Sequence, residues 1–203
     1  MIPSLNFDQS EILSSILNLN ELESFDADIT FGNGKFYQNM PRPKLCFDID
    51  PQCDFVIKAS SDSLPMKNGS VQSLVFDPPF LTYVKEAREH NSIMAKRFGG
   101  YWAYDDLANH YQSTLKECAR VIATKGILVF KCQDIVHNHK LQPTHINVIN
   151  WSEKWFRLKD LFVLGAKHRM PIPQQKGTAL KKQKHARIFH SYFLVFEKLS
   201  RCD

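Results

Sequence analysis

Asp77-Pro78-Pro79-Phe80 follows a run of strand-forming residues, Ser73-Leu74-Val75-Phe76, so an acid and two prolines stand where a buried strand should end. The two prolines fix the backbone and remove two N–H donors, leaving carbonyls free between a carboxylate and an aromatic ring. Such a site suits a planar ring that carries an amino group. The carboxylate and a carbonyl can accept its two N–H bonds while the ring lies on Phe80. Read alone, the tetrapeptide is equally a strand-ending turn, because Asp and Pro are ordinary turn residues.

The elements upstream have to position this site. Phe25-Asp26-Ala27-Asp28-Ile29-Thr30-Phe31-Gly32-Asn33-Gly34 reads as a short strand followed by a glycine loop, which lets the backbone pass close to a ligand. About twenty residues on, Lys44-Leu45-Cys46-Phe47-Asp48 is an apolar strand ending in an acid, at the separation expected of a carboxylate that holds ribose hydroxyls. A turn-rich passage, Ala59 to Ser70, then places Asp62 at a third strand end. The loop does not continue as Gly-x-x-Gly, and Pro41 and Pro43 follow closely, which argues against a nicotinamide cofactor.

In this order the elements resemble the class I methyltransferases that use S-adenosylmethionine. Within them they resemble the amino-methyltransferases acting on adenine N6 or cytosine N4. Asp28-Ile29-Thr30-Phe31-Gly32-Asn33-Gly34 is similar to the family's cofactor loop, with Ile29 where proline is usual, and Asp77-Pro78-Pro79-Phe80 to its catalytic motif. The resemblance implies cofactor contacts from Asp28, Thr30, Phe31, Gly32 and Gly34, a ribose-binding role for Asp48, and a place near the cofactor's adenine for Asp62. It implies catalytic roles for Asp77, Pro78, Pro79 and Phe80, a product S-adenosylhomocysteine and no metal. Lys131-Cys132-Gln133-Asp134 and the stretch from Gln183 to Phe193 resemble a small bacterial and phage DNA-methylase-like group, so the likeness runs from about Phe25 to Lys198. The implied fold is α/β, a Rossmann-like sheet of seven strands with helices on both faces.

The remaining pattern agrees with that expectation. Leu107, Tyr111, Leu115 and Cys118 recur at helical spacing between Ala103 and Ile122, with a break expected at Lys125-Gly126 before the buried strand Gly126–Cys132. Thr144 to Phe156 reads as a helix, and Leu158–Lys167 and Ile188–Lys198 as two closing strands. At 203 residues and 43% hydrophobic content, one methyltransferase domain over 1–203 is expected. Its parts are a helical cap at 1–24 (helix Asp8–Leu19), a flap at 81–102 and a basic loop at 168–187. No membrane span or leader is legible, so a soluble, cytoplasmic protein is expected. The five cysteines have no paired spacing, which argues against a zinc site or a disulfide frame.

Net charge is +5, and from Leu161 to Phe196 there is no acidic residue. Lys181, Lys182, Lys184 and Arg187 in that segment suit a phosphate backbone, a solvated charge run being the other reading. Arg97, Tyr101 and Trp102 of the flap are further nucleic-acid candidates, though the aromatics could equally anchor the flap to the core. DNA stands ahead of RNA as the substrate, with adenine N6 ahead of other amino groups. No insertion is large enough for a separate target-recognition region, so an accessory specificity partner is an open possibility. A protein methyltransferase acting on Lys or Gln and a non-catalytic nucleic-acid-binding module are the alternatives.

Overall fold

Two of the apolar runs legible in the sequence lie side by side at the centre of one mixed sheet. The structure, a computed structural model, describes residues 1–80, 82, 101, 103–166 and 184–200. Its strands are β1 (Leu5–Asn6), β2 (Ala27–Asp28), β3 (Leu45–Asp48), β4 (Ile57–Lys58), β5 (Val71–Phe76), β6 (Ile122–Cys132), β7 (Ile135–His137), β8 (Lys140–Gln142), β9 (Phe156–Gly165) and β10 (His190–Lys198). The helices among these residues are α1 (Gln9–Leu19), α2 (Tyr104–Val121) and α3 (Thr144–Ser152), with a 3-10 turn at Lys35–Tyr37. None of the described helices is long and apolar enough to cross a membrane.

The sheet order is β1-β9-β10-β6-β5-β2-β3-β4, and β7 and β8 form a separate hairpin. Pairs β5–β6, β2–β5, β2–β3 and β3–β4 are parallel, whereas β10 runs antiparallel to both β6 and β9. Eight strands therefore stand where seven were expected. The extra one is β1, whose two residues pair with Val163 and Leu164. A two-residue strand is too short to carry an alternating pattern, so only the sheet edge beside it reveals it.

Alternation along the central strands sorts side chains to two faces. Val75, Val129, Phe193 and Val195 pack with Ile12, Leu13 and Ile16 of α1 on one side. Leu74, Phe76, Leu128, Phe130 and Phe196 meet Leu107, Tyr111 and Leu115 of α2 on the other. Helices thus cover both faces. Helix α1 starts as expected, with the Asp8 carboxylate accepting the Ser10 N–H at 2.8 Å. Helix α2 ends at Val121, before the expected break, and the chain passes straight into β6. Lys125 adopts φ 63° inside that strand, and a Cβ on Gly126 would stand 2.8 Å from the Gln72 carbonyl oxygen. The glycine is needed there for close approach to β5, not as a helix stop.

From β2 the chain continues to β3 and β4 on one side, and later to β5 and β6 on the other. The boundary between β2 and β5 is therefore the topological switch point of the sheet, where the carboxyl ends of adjacent strands open a crevice. Asp28 ends β2, and Asp77 directly follows β5.

Candidate active site at the sheet switch point

The Asp77 main-chain N–H donates to Thr30 Oγ1 at 2.8 Å. Thr30 in turn donates its N–H to Asp28 Oδ1 at 2.6 Å and its hydroxyl to the same oxygen at 3.3 Å. One threonine thus joins the glycine loop to the acid of the diproline turn. Pro78 is buried, and the Pro79 carbonyl accepts the Tyr111 hydroxyl of α2 at 3.1 Å. The turn is thus held from two sides, by the glycine loop through Thr30 and by α2 through Tyr111. Phe80 is half-buried and lines an open depression of about 330 Å³ with Phe7, Gln9, Lys131, Gln133 and Phe189.

In the loop itself, Gly32 and Gly34 take φ +56° and +75°, the left-handed region that disfavours side chains. A Cβ on Gly34 would also meet the Phe31 ring at 2.9 Å. Asp48 Oδ2 accepts the Gly32 N–H at 2.7 Å and Oδ1 the Asp50 N–H at 2.8 Å, so this carboxylate holds the loop while remaining half-exposed. The Ala59 N–H donates to the Asp48 carbonyl at 2.9 Å, tying in the turn that carries Asp62. Asp62 is exposed there and accepts the Ser60 hydroxyl.

Asp28 and Phe31 lie inside, at 1% and 5% exposure. Phe31 stacks on Tyr37 with ring centroids 5.8 Å apart. Asp28 accepts the Tyr37 hydroxyl at 2.6 Å besides its two bonds from Thr30. Their place is underneath the loop, which they hold in shape. Thr30, Gly32, Gly34, Asp48 and Asp77 meet along the crevice, and Asp62 stands at its β4 end.

Of the nucleic-acid candidates, Arg97, Trp102, Lys181 and Lys182 lie outside the described residues, as does nearly all of the flap and of the basic loop. Lys184 and Arg187 are exposed on the segment that enters β10. Tyr101 is half-buried, hydrogen-bonded through its hydroxyl to His110 Nδ1 and set edge-on to Tyr111. That geometry is the core-anchoring one of the two readings open to the flap aromatics.

Burial pushes the Asp28 carboxyl up to about 7, against the lowering effect of the bonds from Tyr37 and Thr30. Burial also raises Asp77, opposed by the Lys131 ammonium. For Asp28 the sign of the linkage is definite. Between 3.8 and about 7 the native chain keeps a proton that the unfolded chain has lost, so stability falls as pH rises through that window. Asp28→Asn removes this slope, which is at most about 1.4 kcal/mol per pH unit. Urea titrations of both proteins across the window check it; parallel curves would refute it.

Lys131, Gln9 and Tyr111 belong to the site although their sequence context did not mark them for it. A lysine in the otherwise apolar run Ile127–Cys132 was the available signal. Lys131 Nζ donates to Gln9 Oε1 at 2.8 Å and stands 3.4 Å from Asp77.

No family model and no curated protein matches the chain. Solved structures do. A candidate sarcosine dimethylglycine methyltransferase from Galdieria sulphuraria superposes with TM-score 0.56 at 11% identity, over 94% of this chain and 85% of its own. TrmN from Thermus thermophilus superposes with TM-score 0.52 at 13% identity, over 94% of this chain and 49% of its own. The fold is the Rossmann-like fold of the methyltransferases. A candidate DNA modification methylase from Thermus thermophilus, complexed with S-adenosyl-L-methionine, aligns at 19% identity and TM-score 0.42 over 67% of this chain and 51% of its own. The chain thus spans about half the length of the last two.

The crevice fits a cofactor built on a nucleoside. A Cβ on Gly32 would meet nothing within 4 Å, so there is room in front of the loop. The half-exposed Asp48 carboxylate has the chemistry to accept from vicinal hydroxyls, and the next residue, Ile49, is 69% exposed, an apolar surface of the kind a flat ring could cover.

Proposed function

We propose that the protein transfers a methyl group from S-adenosylmethionine to the exocyclic amino group of a nucleic-acid base, adenine N6 in DNA before any other. The observation that carries this reading is the Thr30 hydroxyl bridge, which seats the Asp77-Pro78-Pro79-Phe80 turn directly beside the glycine loop at the switch point. Thr30, Gly32, Gly34, Asp48 and Asp62 would hold the cofactor, with Asp28 and Phe31 shaping the loop. Bound there, S-adenosylmethionine would supply an electrophilic methyl group.

The chain's own residues account for the rest. An aromatic amine is a poor nucleophile because its lone pair is delocalised into the ring. Accepting its two N–H bonds at the Asp77 carboxylate and the Pro78 carbonyl favours the pyramidal nitrogen that develops during attack. The Asp77 carboxylate then takes the proton that the amino nitrogen sheds, and its raised pKa makes it a better acceptor. Phe80 faces the ring, and the clamped diproline fixes the approach. A base in a duplex has to leave the stack first, at a cost of a few kcal/mol.

Lys181, Lys182, Lys184 and Arg187, with Arg97, are proposed to follow the phosphate backbone, and Trp102 to stack on or wedge beside a base; an accessory partner would add sequence specificity, and the setting would be cytoplasmic. Replacing the three lysines together should reduce the slope of log affinity against log salt by about 0.9 for each phosphate that is no longer neutralised. Fluorescence-anisotropy titrations on DNA across salt concentrations read this, and an unchanged slope would leave the segment as solvated surface. The function itself is tested by transfer of labelled methyl to DNA and to RNA, with nucleoside mass analysis of the digests. N6-methyladenine in DNA is the expected product; no label in either polymer would overturn the reading.

A further inference from the structure

Asp28 and Asp77 end neighbouring strands and are solvated in opposite ways. Asp28 is satisfied by the Tyr37 hydroxyl and by Thr30, with no cation on it among the described residues. The Asp77 side chain, 23% exposed, has the ammonium of Lys131 facing it, 3.4 Å from both oxygens. That distance is too long for a strong hydrogen bond but short for a charge pair. The lysine therefore supports the anion through one long, weak bond to Oδ2, and the carboxylate keeps further lone pairs for an incoming amine. Its own position is fixed from three elements. Gln9, at the start of α1, accepts from it at 2.8 Å and donates its Nε2–H to the Phe36 carbonyl at 3.1 Å. The Phe36 and Phe193 rings flank the ammonium at 5.0 and 5.5 Å.

We propose that Lys131, held by Gln9 between Phe36 and Phe193, is the positioning residue that keeps Asp77 ionised and aimed at the substrate amine. This rests on the reading of Asp77 as the substrate-facing carboxylate. The groups on which the Asp77 charge acts in turn, Asp28 from β2, Tyr37 from the 3-10 turn and Tyr111 from α2, supply no positive charge. Among the described residues the cation facing Asp77 is Lys131 alone. Without it, nothing among the described residues would oppose the upward push of burial, the carboxyl would hold its proton to higher pH, and a protonated Asp77 would present a donor where the amine needs an acceptor.

The test is carbon-13 NMR titration of the Asp77 carboxyl in the full chain, in the wild type, Lys131→Met and Lys131→Arg. The wild type and Lys131→Arg should titrate together, whereas Lys131→Met should titrate at higher pH. Lys131→Gln, which can still bond Gln9, decides the matter if the methionine variant does not fold. In turnover, the acid limb of kcat should move up by the same interval in the neutral variants. On that limb activity falls about tenfold per pH unit. S-adenosylmethionine affinity should stay within about twofold. An Asp77 midpoint unchanged in a folded neutral variant would overturn the proposal. If the wild type methylates nothing, the proposed reaction fails, while the NMR midpoints still report whether Lys131 controls Asp77.

Discussion

Asp77→Ala should lower methyl transfer by at least about 10²- to 10³-fold while S-adenosylmethionine affinity changes little. The side chain and the main chain of this residue do different things, which is why the separation is expected. Its N–H holds the turn to Thr30, and alanine keeps that bond; its carboxylate takes no part in the glycine loop. What disappears is the acceptor beside the Pro78 carbonyl, so the amine loses the group that pyramidalises it and takes its proton. Folding should survive at some cost in stability, because Lys131 loses its carboxylate partner but keeps its bond to Gln9 Oε1. The measurement pairs single-turnover kinetics with calorimetric titration of the cofactor. Normal turnover in the variant would remove Asp77 from the chemistry.

Asp48→Ala should show the reverse pattern, with cofactor affinity falling about 10- to 100-fold, the equivalent of one hydrogen bond to a charged group. Two effects combine here. The ribose hydroxyls lose their acceptor, and the Gly32 N–H, now held at 2.7 Å by Asp48 Oδ2, is released, so the loop loses its anchor to β3. Asp48→Asn helps to separate the two, since its amide oxygen can still accept the Gly32 N–H but carries no charge. With saturating cofactor, kcat of both variants should approach the wild-type value. Affinity unchanged in both would move the ribose role to Asp50, the exposed acid two residues on.

The contrast between these two carboxylates follows from their strands. Asp48 ends β3, which lies beyond β2 toward the sheet edge, whereas Asp77 follows β5 across the switch point. A cofactor lying across β2 and β3, as proposed, would present one end to Asp48 and the other toward the diproline turn. Strand order alone arranges that division of labour.

By itself the sequence determined the order of elements, their faces and the chemical types at the strand ends. Periodicity records which side chains must leave water: Leu107, Tyr111 and Leu115 recur at helical spacing and do pack on the sheet. Glycines at 32 and 34 and prolines at 78 and 79 record backbone constraints that are local to the chain, and both glycines do take positive φ. Only the tertiary structure decided what these residues touch. Gln9 and Lys131 are 122 positions apart, yet they share a hydrogen bond. Tyr111 reads as one more apolar contact on a helix face, although its hydroxyl reaches the Pro79 carbonyl. Asp28 and Asp77 read as similar strand-end acids, but one meets hydroxyl and amide donors and the other an ammonium. Composition and spacing state which groups exist; their pKa shifts depend on burial and on charges a few ångströms away, and those distances are set only when β2, β5, β6 and α1 come together in the folded sheet.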